Sequence, residues 1–139
     1  MRYIDTSVLV AYLTREAHSV EAEAFMLSQG TPLVMSTWTE VEFLSALGKK
    51  LRTKQLTKSL ADSIVHQYRQ SISSHVRLIP VTDADLKRAA MLLDGWKTSV
   101  RAADSLHLAI SSGHGATTYT LDRGMALAGA TLGVAVTLL

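Results

Sequence analysis

Asp5, Glu42, Asp104 and Asp122 are the side chains whose type and setting suggest chemistry in this 139-residue sequence. Each also has a local alternative. Asp5 follows Met1-Arg2-Tyr3-Ile4 and precedes Thr6-Ser7-Val8, where it can cap a helix. Asp122 closes Thr117-Thr118-Tyr119-Thr120-Leu121 and precedes Arg123-Gly124, which suits a cap or a turn. Asp104 lies in Arg101-Ala102-Ala103-Asp104-Ser105-Leu106-His107-Leu108-Ala109. A carboxylate among such neighbours is costly unless it meets a cation, Arg101 or a helix N-terminus. Glu42 stands beside Val41, Phe43 and Leu44 with no evident local partner, whereas Glu40 can close a capping box over Thr37-Trp38-Thr39-Glu40. Carboxylates brought to one place need something positive between them, and oxygen ligands select a hard dication, Mg2+ or Mn2+. A dication supplies hydroxide near neutral pH and neutralises a phosphate, so the expected chemistry is metal-assisted phosphodiester hydrolysis.

Thr6, Ser7 and Thr120 flank these acids with hydroxyls suited to orienting ligands or water. His107 shares a helix face with Asp104, three residues on, and could join it on a metal; a core histidine with satisfied ring nitrogens is the favoured reading. His18, His66, His75 and His114 form no spaced cluster and read as surface residues. Water is the expected nucleophile of such a hydrolysis. Arg101 and Arg123 stand beside the acids as phosphate partners. The run Lys49-Lys50-Leu51-Arg52-Thr53-Lys54-Gln55-Leu56-Thr57-Lys58 is a candidate contact for a phosphate backbone, although an ordinary solvated helix end is the favoured reading.

The elements that must position these residues alternate between strand and helix. Strands are expected at about 2–4, 33–36, 78–79, 117–120 and 134–138. Helices are expected at about 7–13, 20–28, 37–52, from Thr57 or Ser59 through Leu60, Ile64, Tyr68 and Ile72, at 82–93, 100–112 and 123–128. Such alternation implies a mostly parallel sheet covered on both faces, with ligands beyond the carboxyl ends of its strands. Asp5 and Asp122 each follow a strand, so they face each other if the first and fourth strands are neighbours.

The bulk numbers permit this and exclude much else. The length suits a single domain over 1–139, and 47% hydrophobic residues supply a core. There is no cysteine, hence no disulfide framework or thiol chemistry. No apolar run is long enough to span a bilayer, so a cytoplasmic protein without membrane association is expected. The net charge is +2, and setting the four acids aside leaves 14 basic against 8 acidic residues. A basic body around an acidic pocket suits a polyanionic substrate.

Together these residues resemble the PIN domain, the ribonuclease fold of many bacterial toxins of the VapC type. Ile4-Asp5-Thr6-Ser7 looks like the family's first acidic motif. Thr39-Glu40-Val41-Glu42-Phe43-Leu44-Ser45-Ala46-Leu47 is similar to the second, with Glu42 in the acidic position. Arg101 to Ala109 looks like the third and Thr118-Tyr119-Thr120-Leu121-Asp122-Arg123 like the fourth. The resemblance runs the length of the chain, in order. It implies a three-layer α/β/α sandwich with a parallel sheet in the order 3-2-1-4-5, a Mg2+ or Mn2+ site on the four acids, a homodimer, RNA as substrate and a small cognate antitoxin as partner. The alternative is a module of the same fold that binds through its dimer or antitoxin surface without turnover. A phosphatase of the haloacid-dehalogenase type also begins with an Asp after its first strand but needs a second Asp two residues on, where this chain has Ser7.

Overall fold

A computed structural model describes residues 1–139, apart from the side chain at position 73. The chain runs β1 (Arg2–Ile4), α1 (Thr6–Leu13), α2 (Ser19–Leu27), β2 (Leu33–Ser36), α3 (Thr37–Arg52), α4 (Lys58–Gln67), a π-turn (Tyr68–Ile72), α5 (Ser73–His75), β3 (Arg77–Ile79), α6 (Asp83–Leu93), α7 (Ala102–Gly113), β4 (Thr117–Thr120), α8 (Arg123–Leu132) and β5 (Val136–Leu138). The strands form one five-stranded sheet in the order β3-β2-β1-β4-β5, and every pairing is parallel. The α/β architecture and the strand order are those expected. β1 lies at the centre, with Arg2 opposite Leu33 on one side and Ile4 opposite Tyr119 on the other.

The two faces of the sheet follow from strand alternation. Ile4 and Met35 turn towards Val8, Leu9, Phe43, Leu47, Ile64 and Tyr68, under α1, α3 and α4. Tyr3 and Val34 turn the other way, towards Ile79, Ala89, Leu106 and Ile110, under α6 and α7. A third cluster of Leu108, Met125 and Val134 packs α7 and α8 at the β5 side. Each fully buried Ile, Leu or Phe contributes about 1.5–3 kcal/mol, so three-residue strands persist because of what covers them. Among the described residues no helix is long and apolar enough to cross a membrane.

Some boundaries differ from the sequence reading. α3 is capped by Ser36, whose hydroxyl accepts from the Thr39 amide, while Thr39 closes the capping box by accepting from the Ser36 amide. The box therefore sits one residue earlier than expected and does not include Glu40. Ser36 ends β2 in extended conformation with its side chain free to cap, so the helix starts without an intervening loop. Glu40 instead meets the Tyr68 hydroxyl. Burial first, and the Glu40 charge second, push that phenol up to about 12. The helix through Leu60, Ile64, Tyr68 and Ile72 passes into a π-turn at Tyr68, and Leu60 is half exposed while the other three are buried. α7 starts at Ala102, with Arg101 as its N-cap residue. Of the two candidates for capping α4, Thr57 is the one that does.

Candidate functional site

All four acids belong to the end of the sheet where the strands finish. Asp5 follows β1 and Asp122 follows β4, its parallel neighbour. Glu42 is in the second turn of α3, which leaves β2 directly. Asp104 is in the first turn of α7, which packs on β4 and enters it through a short turn, so that the start of the helix lies over the end of the strand.

Asp5 is buried, and each hydrogen bond to its carboxylate comes from a hydroxyl or a backbone amide. Oδ1 accepts from Ser7 Oγ at 2.6 Å and from the Val8 amide at 3.2 Å, and Oδ2 accepts from Thr120 Oγ1 at 2.6 Å. The helix-cap role and the cleft role thus coincide in one side chain. Burial raises its pKa above the ordinary carboxylate value, against the opposing effects of the nearby His107 and the three hydrogen bonds. Thr120 ties Asp5 to the next acid, since its Oγ1 also accepts from the Asp122 amide at 2.9 Å. Ser7 Oγ accepts from the Leu121 amide at 2.9 Å, which stitches the start of α1 to the end of β4.

Asp122 caps α8, with Oδ1 accepting from the Met125 amide at 3.0 Å. Asp104 Oδ2 accepts from the Arg101 amide at 3.2 Å, so its local partner is the Arg101 backbone at the helix N-terminus. Both carboxylates line one open cleft of about 490 Å³, together with Ser99, Arg101 and Gly124. Asp5 and Glu42 do not line it.

Glu42 enters a different group. Its Oε2 accepts from Thr6 Oγ1 at 2.6 Å and lies 2.6 Å from His107 Nε2. His107 is buried, and its Nδ1 is 2.7 Å from the Tyr3 hydroxyl, which also meets Ser36 Oγ at 2.8 Å. Burial alone would raise the Glu42 carboxyl, but the hydrogen bonds from His107 and Thr6 and the His107 charge outweigh it and hold the group below its ordinary value. Burial pushes the Tyr3 phenol well above its ordinary range, so Tyr3 keeps its proton.

The structure therefore places Asp104 and Asp122 on one cleft, and Glu42, Thr6 and His107 in one cluster. Asp5 lies between, linked to Asp122 through Thr120. Among the described residues no three Asp, Glu or His side chains already stand as a metal cage. The donor chemistry nonetheless fits a hard dication. It is all carboxylate oxygen, the hydroxyls on Asp5 and Glu42 can rotate away, and the buried Asp5 carboxylate is a charge that a cation would relieve.

His107 is the satisfied core histidine that the sequence favoured, and its partners are the surprise. Tyr3 and Ser36 were not legible as members of this network. Ser36 carried a usable signal, a serine directly before a helical run; Tyr3, in a three-residue strand, carried none. Lys49, Lys50 and Arg52 of the basic run end α3 as cations commonly do, with Lys50 paired to Glu16 at 2.5 Å, whereas Lys58 opens α4 and pairs with Asp62.

The sequence model of the PIN domain matches residues 2–130. No curated protein matches the chain. Several solved structures share its fold. FitAcB from Neisseria gonorrhoeae superposes with a TM-score of 0.78 at 22% identity, covering 98% of this chain and 96% of that one. VapC20 from Mycobacterium tuberculosis, described as a sarcin-ricin loop cleaving toxin, gives 0.74 at 19% identity over 93% and 95%. VapBC2 from Rickettsia felis, bound to a DNA fragment from its promoter, gives 0.70 at 13% over 99% and 98%.

Proposed function

Because the chain belongs to the PIN domain family, we propose that it is a metal-dependent endoribonuclease, the toxin half of a toxin–antitoxin pair acting in the cytoplasm. The observation that carries this reading is the adjacency of β1 and β4. It brings Asp5 beside Thr120, whose hydroxyl also accepts from the Asp122 amide, while Asp104 lines the same cleft as Asp122. Asp5, Glu42, Asp104 and Asp122 would hold Mg2+ or Mn2+. When bound, the ion supplies Lewis acidity, neutralising a phosphodiester and making hydroxide available near neutral pH.

The chain's own residues do the rest. Thr6, Ser7 and Thr120 fix the orientation of Glu42 and Asp5 through short hydrogen bonds. Arg101, on the wall of the same cleft, offers a guanidinium to the RNA backbone. Hydrolysis by water leaves a 5′-phosphate and a 3′-hydroxyl. A small cognate antitoxin and a second copy of this chain are the partners this reading adds. Fold neighbours described as FitAB and VapBC support it by analogy only.

The purified protein, freed of any antitoxin, is expected to cleave RNA with Mg2+ or Mn2+ and to stop in excess EDTA. Asp5→Asn and Asp104→Asn are each expected to lower the rate by about 100-fold or more, on the scale of losing an electrostatic contact made in the transition state. Undiminished cleavage in EDTA would overturn the metal mechanism, and undiminished cleavage by Asp104→Asn would remove that residue from the site.

A further inference from the structure

Glu42 has the longest side chain of the four acids. Three rotatable bonds separate its carboxylate from the helix, and its side chain keeps 25% of its exposure. Yet one of its oxygens is held from two directions, by Thr6 Oγ1 and by His107 Nε2, both at 2.6 Å from Oε2. A carboxylate only accepts, so Nε2 carries a hydrogen whether the imidazole is neutral or charged. Behind the ring, Nδ1 meets the Tyr3 hydroxyl at 2.7 Å, and that hydroxyl is in turn anchored to Ser36 at 2.8 Å. The Tyr3 and His107 rings also meet edge on, 5.7 Å apart at 62°. A row of side chains thus runs from β1 and the end of β2, through the middle of α7, to the second turn of α3.

We infer that His107 is a positioning residue: braced by Tyr3, its Nε2–H pins Oε2 of Glu42 and leaves Oε1 turned to solvent as the oxygen that meets a ligand. Oε1 is neither hydrogen-bonded nor sealed off, since the one buried side-chain polar atom without a partner among the described residues is Trp38 Nε1. A histidine serving stability alone has no need to place its ring N–H on a partly exposed carboxylate. Holding that carboxylate in one rotamer removes the cost of ordering it when a cation arrives. A histidine that acts through a ligand in this way commonly changes metal affinity by about 10–100-fold when it is lost. The inference rests on the proposed metal site, because it assigns Glu42 a ligand to meet.

Its test separates the two. Mn2+ binding is measured by calorimetry on the full-length metal-free protein and on His107→Leu, His107→Gln and Tyr3→Phe, each with its melting temperature recorded. His107→Leu is expected to bind Mn2+ at least about tenfold more weakly. His107→Gln, whose amide N–H can replace Nε2–H, is expected to recover most of that affinity. Tyr3→Phe keeps the ring packing and loses only the brace, so its loss should lie between the two. A structural role predicts lower melting temperatures with unchanged affinity, and that outcome would overturn the inference, as would equal affinities in the Leu and Gln variants. Should the Leu variant fail to fold, Tyr3→Phe and the nitrogen-15 spectrum of the wild-type imidazole decide: a proton on Nε2 supports the clamp, and a bare Nε2 ends it. If wild type binds no Mn2+, the metal reading fails, while the same spectrum still reports on the clamp.

Discussion

Asp5 and Glu42 bear like charges in unlike surroundings. Asp5 is sealed in, and burial raises its carboxyl above the ordinary value despite three hydrogen bonds. Glu42 stays partly open, and His107 and Thr6 hold it below that value although burial pulls the other way. The two shifts have opposite consequences for stability. A raised folded-state pKa favours the neutral form, so the Asp5 contribution is full below the unfolded carboxyl value near 4 and is lost as pH rises through the folded one. A lowered folded-state pKa favours the ion, so the Glu42 contribution is present above its unfolded value and is lost as pH falls through the folded one. In metal-free protein at pH 7, Asp5→Asn should therefore raise the melting temperature and Glu42→Gln should lower it. The Asp5→Asn gain should vanish in acid, where the native carboxyl is already neutral, and the Glu42→Gln deficit should shrink there too. A drop in melting temperature for Asp5→Asn at pH 7 would show that its hydrogen bonds outweigh its desolvation. A variant more stable than the native protein yet inactive is the usual mark of a side chain kept for function.

At the scale of elements, α8 and β5 meet at a glycine. A Cβ on Gly129 would stand 2.2 Å from Val136 Cγ2 and 3.1 Å from the Val134 carbonyl oxygen. The carbonyl belongs to backbone and cannot swing away, so Gly129→Ala should cost about 1–3 kcal/mol, as overpacking does. Chemical denaturation measures it, and Val136→Ala in the same chain should recover part of the loss. A neutral Gly129→Ala would mean that α8 can slide. Elements such as β2 and α6 were legible because Gly30-Thr31-Pro32 and Thr82-Asp83-Ala84-Asp85 punctuate the chain with turn and cap chemistry. The start of α3 was displaced by one residue because Ser36 serves as the last strand residue and the helix cap at once. The choice between Glu40 and Glu42 was reached by elimination against a capping box that Thr39 in fact closes. It could not be made from the helical wheel, since α3 contacts other elements on more than one side: Glu40 reaches Tyr68 and Glu42 reaches Thr6 and His107. The Tyr3–His107–Glu42 row joins residues up to 104 positions apart, and nothing in local pattern marks such a pairing.

The whole molecule carries a net charge of +2 while four of its twelve acids stand at the carboxyl end of one sheet. Burial already penalises the ionised Asp5 carboxylate, and folding is the step that imposes that penalty, because in the unfolded chain the group is solvated. A dication that binds the folded state and ignores the unfolded one must stabilise the fold by mass action. At a free Mn2+ concentration 100 times the dissociation constant, one site adds about 2.7 kcal/mol. For a chain of this size that corresponds to a rise in melting temperature on the order of 10 °C. The increment should grow with the logarithm of Mn2+ concentration, be removed by EDTA, and be lost in Asp5→Asn and Asp104→Asn. Gly129→Ala should start from a lower melting temperature and keep the increment in full, because its defect lies at the α8–β5 contact away from the acids. An equal increment in Asp5→Asn would mean that Mn2+ binds elsewhere on the surface, and the strand-end acids would then have to be explained as caps alone.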